Sequence, residues 1–309
     1  MTSTSLEQRF LDRDERALAR AITRVERGDD VGQKLLAGVR PRAGGAQLVG
    51  VTGSPGSGKS TLTNALIAVA RVEGKRVAVV AVDPSSPYSG GAILGDRIRM
   101  TRWHEDRDVF IRSMATRGHL GGLASATLQV VTLLDAYGFD LILVETVGVG
   151  QSEVDIVELA DTTLLVLTPG SGDGVQAFKA GIMEIADVFA INKFDLPGGS
   201  RLKREVKAAL ELGHPNDLDW WPPIEGTVAT KNEGVGELFA RLSEHFDHLK
   251  ASEQLTAQRR KRARFEISAL LSQQVRRRLS AQADSFIDAV LAGELTPEQA
   301  AEALFRETT

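Results

Sequence analysis

The sequence predicts an α/β fold, a mostly parallel sheet with helices on both faces, extended by helices at both ends of the chain. Short apolar runs alternate with longer helical stretches from Gly45 to about residue 250, and this alternation is typical of a parallel sheet buried on both faces. The runs are QLVGVTG, RVAVVAVD, LILVETVG, TTLLVLTP, VFAINKFD and the weaker PIEGTVA. Both ends of the chain lack such runs and show helical spacing instead.

These patterns divide the chain into a helical extension at 1–42, a sheet domain at 43–250 and a helical arm at 251–309. Residues 5–27 predict one amphipathic helix that ends near Gly28 and buries one apolar stripe. That stripe consists of Leu6, Phe10, Leu18, Ile22 and Val25. In the arm, Thr296 and Pro297 suit the N-cap and first position of a last helix.

Composition narrows the classes of partner. Lys and Arg total 37 against 41 Asp and Glu among 309 residues, a net charge of −4, so no bulk charge favours nucleic acid or an anionic membrane. The absence of cysteine excludes disulfides and thiolate catalysis. No signal peptide or stretch of about 18 apolar residues is present, so we expect a cytoplasmic protein with no membrane partner.

The segment 53–60, GSPGSGKS, fits the pattern GxxxxGK[ST] between a strand-like run and a helix-like stretch, which is the context that a phosphate-binding loop requires. Its glycines let successive N–H groups face a phosphate, Lys59 is expected to reach the β- and γ-phosphates, and the Ser60 hydroxyl is expected to bind Mg²⁺. The expected phosphate contacts are Gly53, Gly56, Ser57, Gly58, Lys59, Ser60 and Thr61. The pattern predicts the sheet of a P-loop nucleotide-binding protein.

The segment 192–195, NKFD, follows an apolar run, where ligands gather in parallel sheets. We expect Asp195 to accept hydrogen bonds from guanine N1–H and the exocyclic amine, with Asn192 bracing the loop and the Lys193 stem covering the ring. Adenine would leave the carboxylate unpaired, at a cost of about 1–3 kcal/mol or more. Taken alone, NKFD fits a plain turn as well, but behind a P-loop it indicates GTP and GDP as ligands.

The next run ends at Thr227, Val228 and Ala229. Their backbone N–H groups are suitably placed to meet guanine O6, although a plain strand end fits the pattern equally well.

Two carboxylates, Asp83 and Glu145, end the second and third runs and should emerge beside the P-loop. Such positions suit Mg²⁺, which keeps several waters and binds few protein carboxylates, although a helix cap or a surface charge is the alternative for each. Glu145 and Gly148 have the spacing of a DxxG switch with Glu in place of Asp, and the Gly148 N–H is then available to the γ-phosphate.

Taken in order, GSPGSGKST, VDPSSPYSGGAILGDRIRM, VFIRSMATRGHLGGL, ETVGVGQSE, TPGSGDGVQAFKAGIMEIAD and NKFD closely resemble the MeaB/ArgK-type GTPases over essentially the whole chain. The resemblance implies GTP hydrolysis coupled to loading, protection or rescue of adenosylcobalamin in a cobalamin-dependent acyl-CoA mutase such as methylmalonyl-CoA mutase. It also implies a homodimer joined through the C-terminal arm. It assigns Asp83, Asp96 and Glu145 to the Mg²⁺ shell.

Hydrolysis by the isolated protein is expected to be slow. Small signalling GTPases orient the attacking water with a Gln just after the switch glycine, but Val149 follows Gly148 here. Gln151, three positions beyond Gly148, and Lys179, in a glycine-rich loop that resembles a mobile switch of the family, are the candidates for the missing role. The alternative is that both are ordinary polar residues.

Other candidates are weaker. His245 and His248 are three residues apart on an expected helix and could bind metal, but a solvated pair is favoured because few other ligands are available. The basic run 259–262 could bind phosphates, and an exposed helix face is favoured. His119 lies in a glycine-rich stretch that fits a mobile loop or a plain turn.

A rival function is a small-molecule kinase or ATPase that uses the same P-loop. NKFD argues against it. A metal-insertion GTPase would need a His- or Cys-rich metal store, and a protein-targeting GTPase a Met-rich domain, whereas this chain has 5 His, no Cys and 4 Met.

Overall fold

A computed structural model describes residues 5–83, 101–103, 105–115, 125–146, 156, 158–170, 182–213 and 219–307. The chain forms two compact units, Met1–Arg262 and Ala263–Thr309.

The first unit is built on a parallel sheet, in which the described residues form seven strands in the order β3-β2-β4-β1-β5-β6-β7. The strands are β1 Gln47–Thr52, β2 Val77–Asp83, β3 Val109–Ala115, β4 Leu141–Thr146, β5 Thr162–Leu167, β6 Val188–Asn192 and β7 Ile224–Thr227. Because all strands run the same way, the residues that follow β1, β2, β4 and β6 lie at one edge of the sheet. This edge carries the P-loop and NKFD.

The sheet is covered on both faces, as the apolar runs predict. Along β5, Leu164 and Val166 pack into one core cluster, and the alternate residues Leu165 and Leu167 pack into another. Since successive side chains point to opposite faces of a strand, the two clusters lie on opposite sides of the sheet. The predicted α/β class is confirmed.

Helices connect the strands and form both ends of the chain. They are α1 Leu6–Leu11, α2 Glu15–Arg27, α3 Asp30–Val39, α4 Lys59–Val72, α5 Ser125–Tyr137, α6 Gly199–Gly213, α7 Val235–Ala251, α8 Gln254–Leu291 and α9 Pro297–Glu307. Short 3₁₀ turns lie at Arg40–Arg42, Thr101–Trp103, Ile182–Ile185 and Ala229–Lys231. The helices α4 and α7 supply Leu62 and Phe239 to one core cluster, and α6 supplies Val206 to the other.

The single helix predicted at residues 5–27 is wrong, because the chain breaks into α1 and α2. Arg13 has a positive φ of 61°, and the Asp14 carboxylate accepts from the N–H groups of Arg16 and Ala17 as the N-cap of α2. The predicted end near Gly28 is confirmed, since Gly28 is the left-handed C-cap with φ of 67°. A helix interrupted by a local cap keeps the same apolar periodicity, which hides the break in the sequence.

The predicted start of the last helix is confirmed. The Thr296 hydroxyl accepts from Gln299 N at 3.2 Å, the Gln299 side chain accepts from Thr296 N at 2.9 Å, and Pro297 is the first helical residue. Within the described part of the chain, no helix is both long and apolar enough to cross a membrane.

Candidate functional site

The turn between β1 and α4 is built around glycines. Gly53 and Gly58 have positive φ values of 139° and 91°, a conformation that side chains strongly disfavour. A Cβ atom on Gly53 would lie 2.2 Å from the carbonyl oxygen of Val166, and one on Gly58 would lie 2.3 Å from Nδ2 of Asn192. Both positions therefore require glycine, and the backbone of this turn packs directly against β5 and the end of β6.

The lysine of the loop is held by the loop itself. Lys59 Nζ donates to the carbonyl oxygens of Gly53 at 2.5 Å and Ser54 at 3.1 Å, and the residue is 7% exposed. Its ammonium group is thus fixed within the loop at the start of α4. A cation positioned this way, beside a helix N-terminus, favours a phosphate.

Ser60 and Glu145 form the oxygen-rich part of the site. The Ser60 hydroxyl donates to Oε1 of Glu145 at 2.5 Å, and Glu145 is 2% exposed. The carboxylate reaches the loop because Glu145 pairs with Val51 of β1 and Ala81 of β2 in the sheet. A buried carboxylate next to a hydroxyl is a donor set that suits Mg²⁺.

The other expected Mg²⁺ ligands are less defined. Asp83 ends β2 opposite Ala115, one register position beyond the Val82 and Thr146 pair of β2 and β4. Its backbone is therefore at the same edge of the sheet as Glu145. Asp96 lies outside the described residues, as do Gly148, Gln151, Lys179 and His119.

Asn192 ties three parts of the site together. Its Nδ2 donates to the carbonyl oxygen of Ser57 at 2.9 Å, and its Oδ1 accepts from the Thr227 hydroxyl and from Ala229 N, each at 3.3 Å. The residue is 2% exposed, so these bonds lie in a buried environment. The predicted bracing by Asn192 therefore links the P-loop to the end of β7.

The rest of NKFD folds over the same junction. Lys193 has a φ of 55°, and its Nζ donates to the carbonyl oxygen of Gly56 at 2.7 Å. Phe194 N donates to the Thr227 carbonyl oxygen at 3.0 Å. A Cβ atom on Gly226 would lie 2.8 Å from the Phe194 ring, so the ring lies directly on β7. The base-side loop is thus anchored to the P-loop on one side and to β7 on the other.

Asp195 carries the predicted base-reading carboxylate. Its side chain is 41% exposed, and its Oδ2 accepts from Lys231 Nζ at 3.1 Å. The hydrogen bond to Asp195 raises the pKa of Lys231. Lys231 was not singled out in the sequence, because its contact joins residues 36 positions apart and no local pattern marks it.

Two of the amides expected at guanine O6 are engaged within the chain. Val228 N donates to the carbonyl oxygen of Glu233 at 2.9 Å, and Ala229 N donates to Asn192. Binding guanine through these groups would require those hydrogen bonds to be exchanged. Thr227 contributes through its hydroxyl, a contact that the sequence did not indicate.

One weaker expectation is wrong, and another is wrong for two of its four residues, since Arg260 and Lys261 are exposed as expected. His245 is 3% exposed, so it is not part of a solvated pair, and the described residues contain no group of three or more possible metal ligands. Arg259 and Arg262, expected on an exposed face, instead donate to the carbonyl oxygens of Gly44 and Leu159. Their cationic groups fix the start of α8 to backbone near β1 and β5.

Comparison with known proteins shows the family to which this chain is similar. Residues 18–284 match the family model described as methylmalonyl-CoA mutase-associated GTPase MeaB. A relative from Pyrococcus abyssi is 48% identical over 307 residues, which cover 97% of this chain and 95% of the relative. The methylmalonic aciduria type A homolog, mitochondrial, of Mus musculus is 35% identical over 331 residues, covering 97% of this chain and 80% of its own.

The fold has a counterpart among solved structures. A crystal structure of a LAO/AO transport system kinase superposes with a TM-score of 0.73 at 26% identity, covering 98% of this chain and 96% of the other. Together with a P-loop and NKFD tied to one another by Asn192, these matches show that the chain belongs to the MeaB family of methylmalonyl-CoA mutase-associated GTPases and, like them, binds and hydrolyses GTP.

Proposed function

We propose that this GTPase couples its nucleotide state to the loading, protection or reactivation of adenosylcobalamin in a cobalamin-dependent acyl-CoA mutase. The observation that carries the proposal is the match of residues 18–284 to a family described as associated with methylmalonyl-CoA mutase. We further propose that it works in the cytoplasm as a homodimer joined through the C-terminal arm, with the arm at 251–309, the sheet domain at 43–250 and the helical extension at 1–42.

In this proposal the P-loop residues, from Gly53 to Thr61, bind the phosphates, and Lys59 offsets their charge. Phosphoryl transfer depends mainly on positioning and on charge stabilisation, so a lysine already fixed by the carbonyl oxygens of Gly53 and Ser54 loses little freedom when phosphate replaces those contacts. Asp195 pairs with guanine once Lys231 yields its ion pair, and Lys193 covers the ring.

Ser60 and Glu145 would hold Mg²⁺, with Asp83 and Asp96 completing its shell, and the ion would supply positive charge to the phosphate oxygens. The contact between Ser60 and Glu145 supports this choice of ligands. Their role before the ion arrives is to keep a hydroxyl and a carboxylate together at the start of α4.

The proposal predicts slow hydrolysis by the protein alone and faster hydrolysis with its mutase. Val149 and not a Gln follows Gly148, and Gln151 or Lys179 would complete the site when the mutase binds. Single-turnover GTP hydrolysis, measured with and without saturating methylmalonyl-CoA mutase, tests this prediction. The isolated protein should be slow, and the mutase should accelerate hydrolysis roughly tenfold or more, which corresponds to lowering the activation barrier by about 1.4 kcal/mol.

Two variants test the proposed roles of Gln151 and Lys179. Gln151→Ala and Lys179→Ala should lose the acceleration while retaining GTP affinity if those residues act in the ordered state. Equal rates with and without the mutase would overturn the coupling and leave GTP binding untouched.

The second candidate is a small-molecule kinase or ATPase, since the structural counterpart is named a transport system kinase. Side-by-side titration with GTP and ATP separates the two functions. A guanine-reading Asp195 requires a clear preference for GTP, whereas equal affinities would favour the kinase or ATPase.

A further inference from the structure

A cavity of about 590 Å³ lies at the amino-terminal edge of the sheet, opposite the edge that carries the P-loop. Asp187, directly before β6, and Trp220, four residues before β7, form part of its wall, and α7 and α8 add His245 and Lys261. The proposed hydrolysis of GTP uses none of these residues.

The carboxylate of Asp187 lies in this wall near Lys261, whose positive charge lowers the pKa of Asp187 against the larger, opposite effect of burial. Oδ2 accepts from Thr163 N at 2.7 Å, and Oδ1 lies 3.5 Å from His245 Nε2. Burial lowers the pKa of His245 to about 4, so the imidazole is neutral at pH 7. The wall lysine, Lys261, pairs with Glu158 at 2.9 Å. Among the described residues, no Lys or Arg nitrogen lies within 4 Å of the Asp187 carboxylate, and His245, whose Nε2 does, is neutral at pH 7.

The open part of Asp187 belongs to the cavity. Its side chain is 34% exposed although protein surrounds it closely enough that burial raises its pKa to about 7. A carboxylate that is costly to ionise and yet accessible from a cavity favours a ligand that brings a positive charge.

Other groups of the wall also favour a positively charged ligand. Glu184 and Asp219 also line the cavity, so further negative charge surrounds any ligand in it. The Trp220 indole is fixed by a hydrogen bond from Nε1 to the Asp187 carbonyl oxygen at 2.9 Å and by a tilted contact with the His245 ring, with ring centroids 4.9 Å apart. Aromatic rings attract cations.

The described part of the wall offers no multidentate metal site. The described residues contain no group of three or more His, Cys, Asp or Glu that could hold a metal ion. A guanidinium or ammonium group carried on a carbon chain is larger than a metal ion and donates hydrogen bonds to carboxylates. The guanidinium is also less strongly hydrated and donates in a fixed planar geometry.

We propose that this cavity binds a small organic cation, a guanidinium or primary ammonium compound, with Asp187 as its counter-ion and Trp220 as an aromatic wall. The site is separate from the nucleotide site and lies at the other end of β6.

The test uses the full-length protein and a pair of probes that differ in charge. Butylguanidinium and the neutral isostere butylurea are titrated by isothermal calorimetry, and only butylguanidinium should bind. Asp187→Asn should weaken that binding roughly tenfold or more, the loss of one charge-assisted contact. Asp247→Asn removes an exposed carboxylate that pairs with Lys250 on α7, the helix that carries His245. This variant should leave butylguanidinium binding unchanged.

The pH dependence in the unmodified protein gives a second measurement that does not rely on a variant. If the cation requires ionised Asp187, its affinity should increase by about tenfold from pH 6 to pH 8. Asp161, Glu184, Asp219, His245 and Lys261 are the other titratable groups of the wall. Equal binding of butylurea, no binding of butylguanidinium, or an affinity that does not change with pH or in Asp187→Asn would each overturn the proposal.

Discussion

At the scale of single residues, Lys59 has a structural role beside its proposed contact with a phosphate, because its ammonium group hydrogen-bonds to the backbone of its own loop. Lys59→Ala should reduce GTP affinity by roughly 100-fold or more, since a charge-assisted phosphate contact is lost. Some stability should be lost as well, because Nζ also donates to Gly53 and Ser54. Fluorescence titration with a labelled GTP analogue and thermal melting measure the two effects.

A matched control for this change is Lys207→Ala, which removes an exposed lysine on α6 that pairs with Glu211. It should bind GTP normally. A folded Lys59→Ala protein with unchanged GTP affinity would remove Lys59 from the nucleotide site.

Asp195→Asn should lower GTP affinity and favour xanthosine triphosphate, because the new amide can donate to the carbonyl group that replaces the exocyclic amine of guanine. The variant also loses the ion pair with Lys231, but both side chains are largely exposed, so this pair adds little to stability. Competition binding with GTP and XTP reports the preference. A variant that keeps the original margin for GTP would show that Asp195 does not contact the base.

The motifs name the residues of the candidate nucleotide site, but they do not predict the contacts among those residues. Lys59, Ser60, Glu145 and Asn192 could be named because each lies within a short pattern or directly after an apolar run. Lys231 could not be identified, since its partner Asp195 is distant in sequence. Which amides are already hydrogen-bonded, as at Val228, depends on a local turn that apolar patterns do not specify.

At the scale of elements, six strands follow from apolar runs but β3 does not. In VFIRSMA, Arg112 and Ser113 interrupt the run, and most of the strand is half-buried because it lies at the edge of the sheet. Arg112 is accommodated by an ion pair with Glu26 of α2. An edge strand that carries a charge toward a neighbouring helix has no distinctive periodicity, so only its pairing with β2 reveals it.

The amino-terminal edge of the sheet should make stability depend on pH in two opposing ways. Burial raises the pKa of Asp187 to about 7, so its contribution is present at low pH and lost as pH rises from about 4 to 7. Burial lowers the pKa of His245 to about 4, so its contribution is present above about 6.5 and lost as pH falls. Between pH 4 and 6.5 the two partly cancel.

Removing the carboxyl group of Asp187 should leave the pH dependence caused by His245 unopposed. Asp187→Asn should give a protein whose free energy of unfolding, measured by urea denaturation, increases more steeply from pH 4 to 6.5 than that of the unmodified protein. Asp247→Asn should follow the unmodified curve. Parallel curves for Asp187→Asn and the unmodified protein would show that Asp187 titrates normally in the fold.

At the scale of the whole molecule, the end of the first unit decides where the arm can be removed. The basic run belongs to Met1–Arg262, and Lys261 and Arg262 contact Glu158 and Asp161. Cutting the chain near residue 250 would remove these contacts. Loss of stability and loss of the dimer interface would then occur together and could not be told apart. A truncation after Arg262 keeps them and removes only the second unit, so it is the better test of dimerisation.

The second unit carries apolar surface that a homodimer would cover. In the structure, Leu271 is 60% exposed, and Ile267, four residues earlier, is 67% exposed; Ile287 and Leu291 repeat that spacing at 51% and 81%. Residues four apart share one face of a helix, so each pair forms an apolar stripe of the kind that mediates association.

We therefore expect the full-length protein to be a dimer with twice the 33.3 kDa chain mass and the protein truncated after Arg262 to be a monomer that still binds GTP. Light scattering coupled to size exclusion, over a concentration series, measures both masses. Leu271→Glu should shift the full-length protein toward monomer, because it places a charge in the stripe. Ser272→Glu, at the neighbouring exposed position, should not. A full-length monomer, or a truncated protein that still dimerises, would move the interface away from the arm.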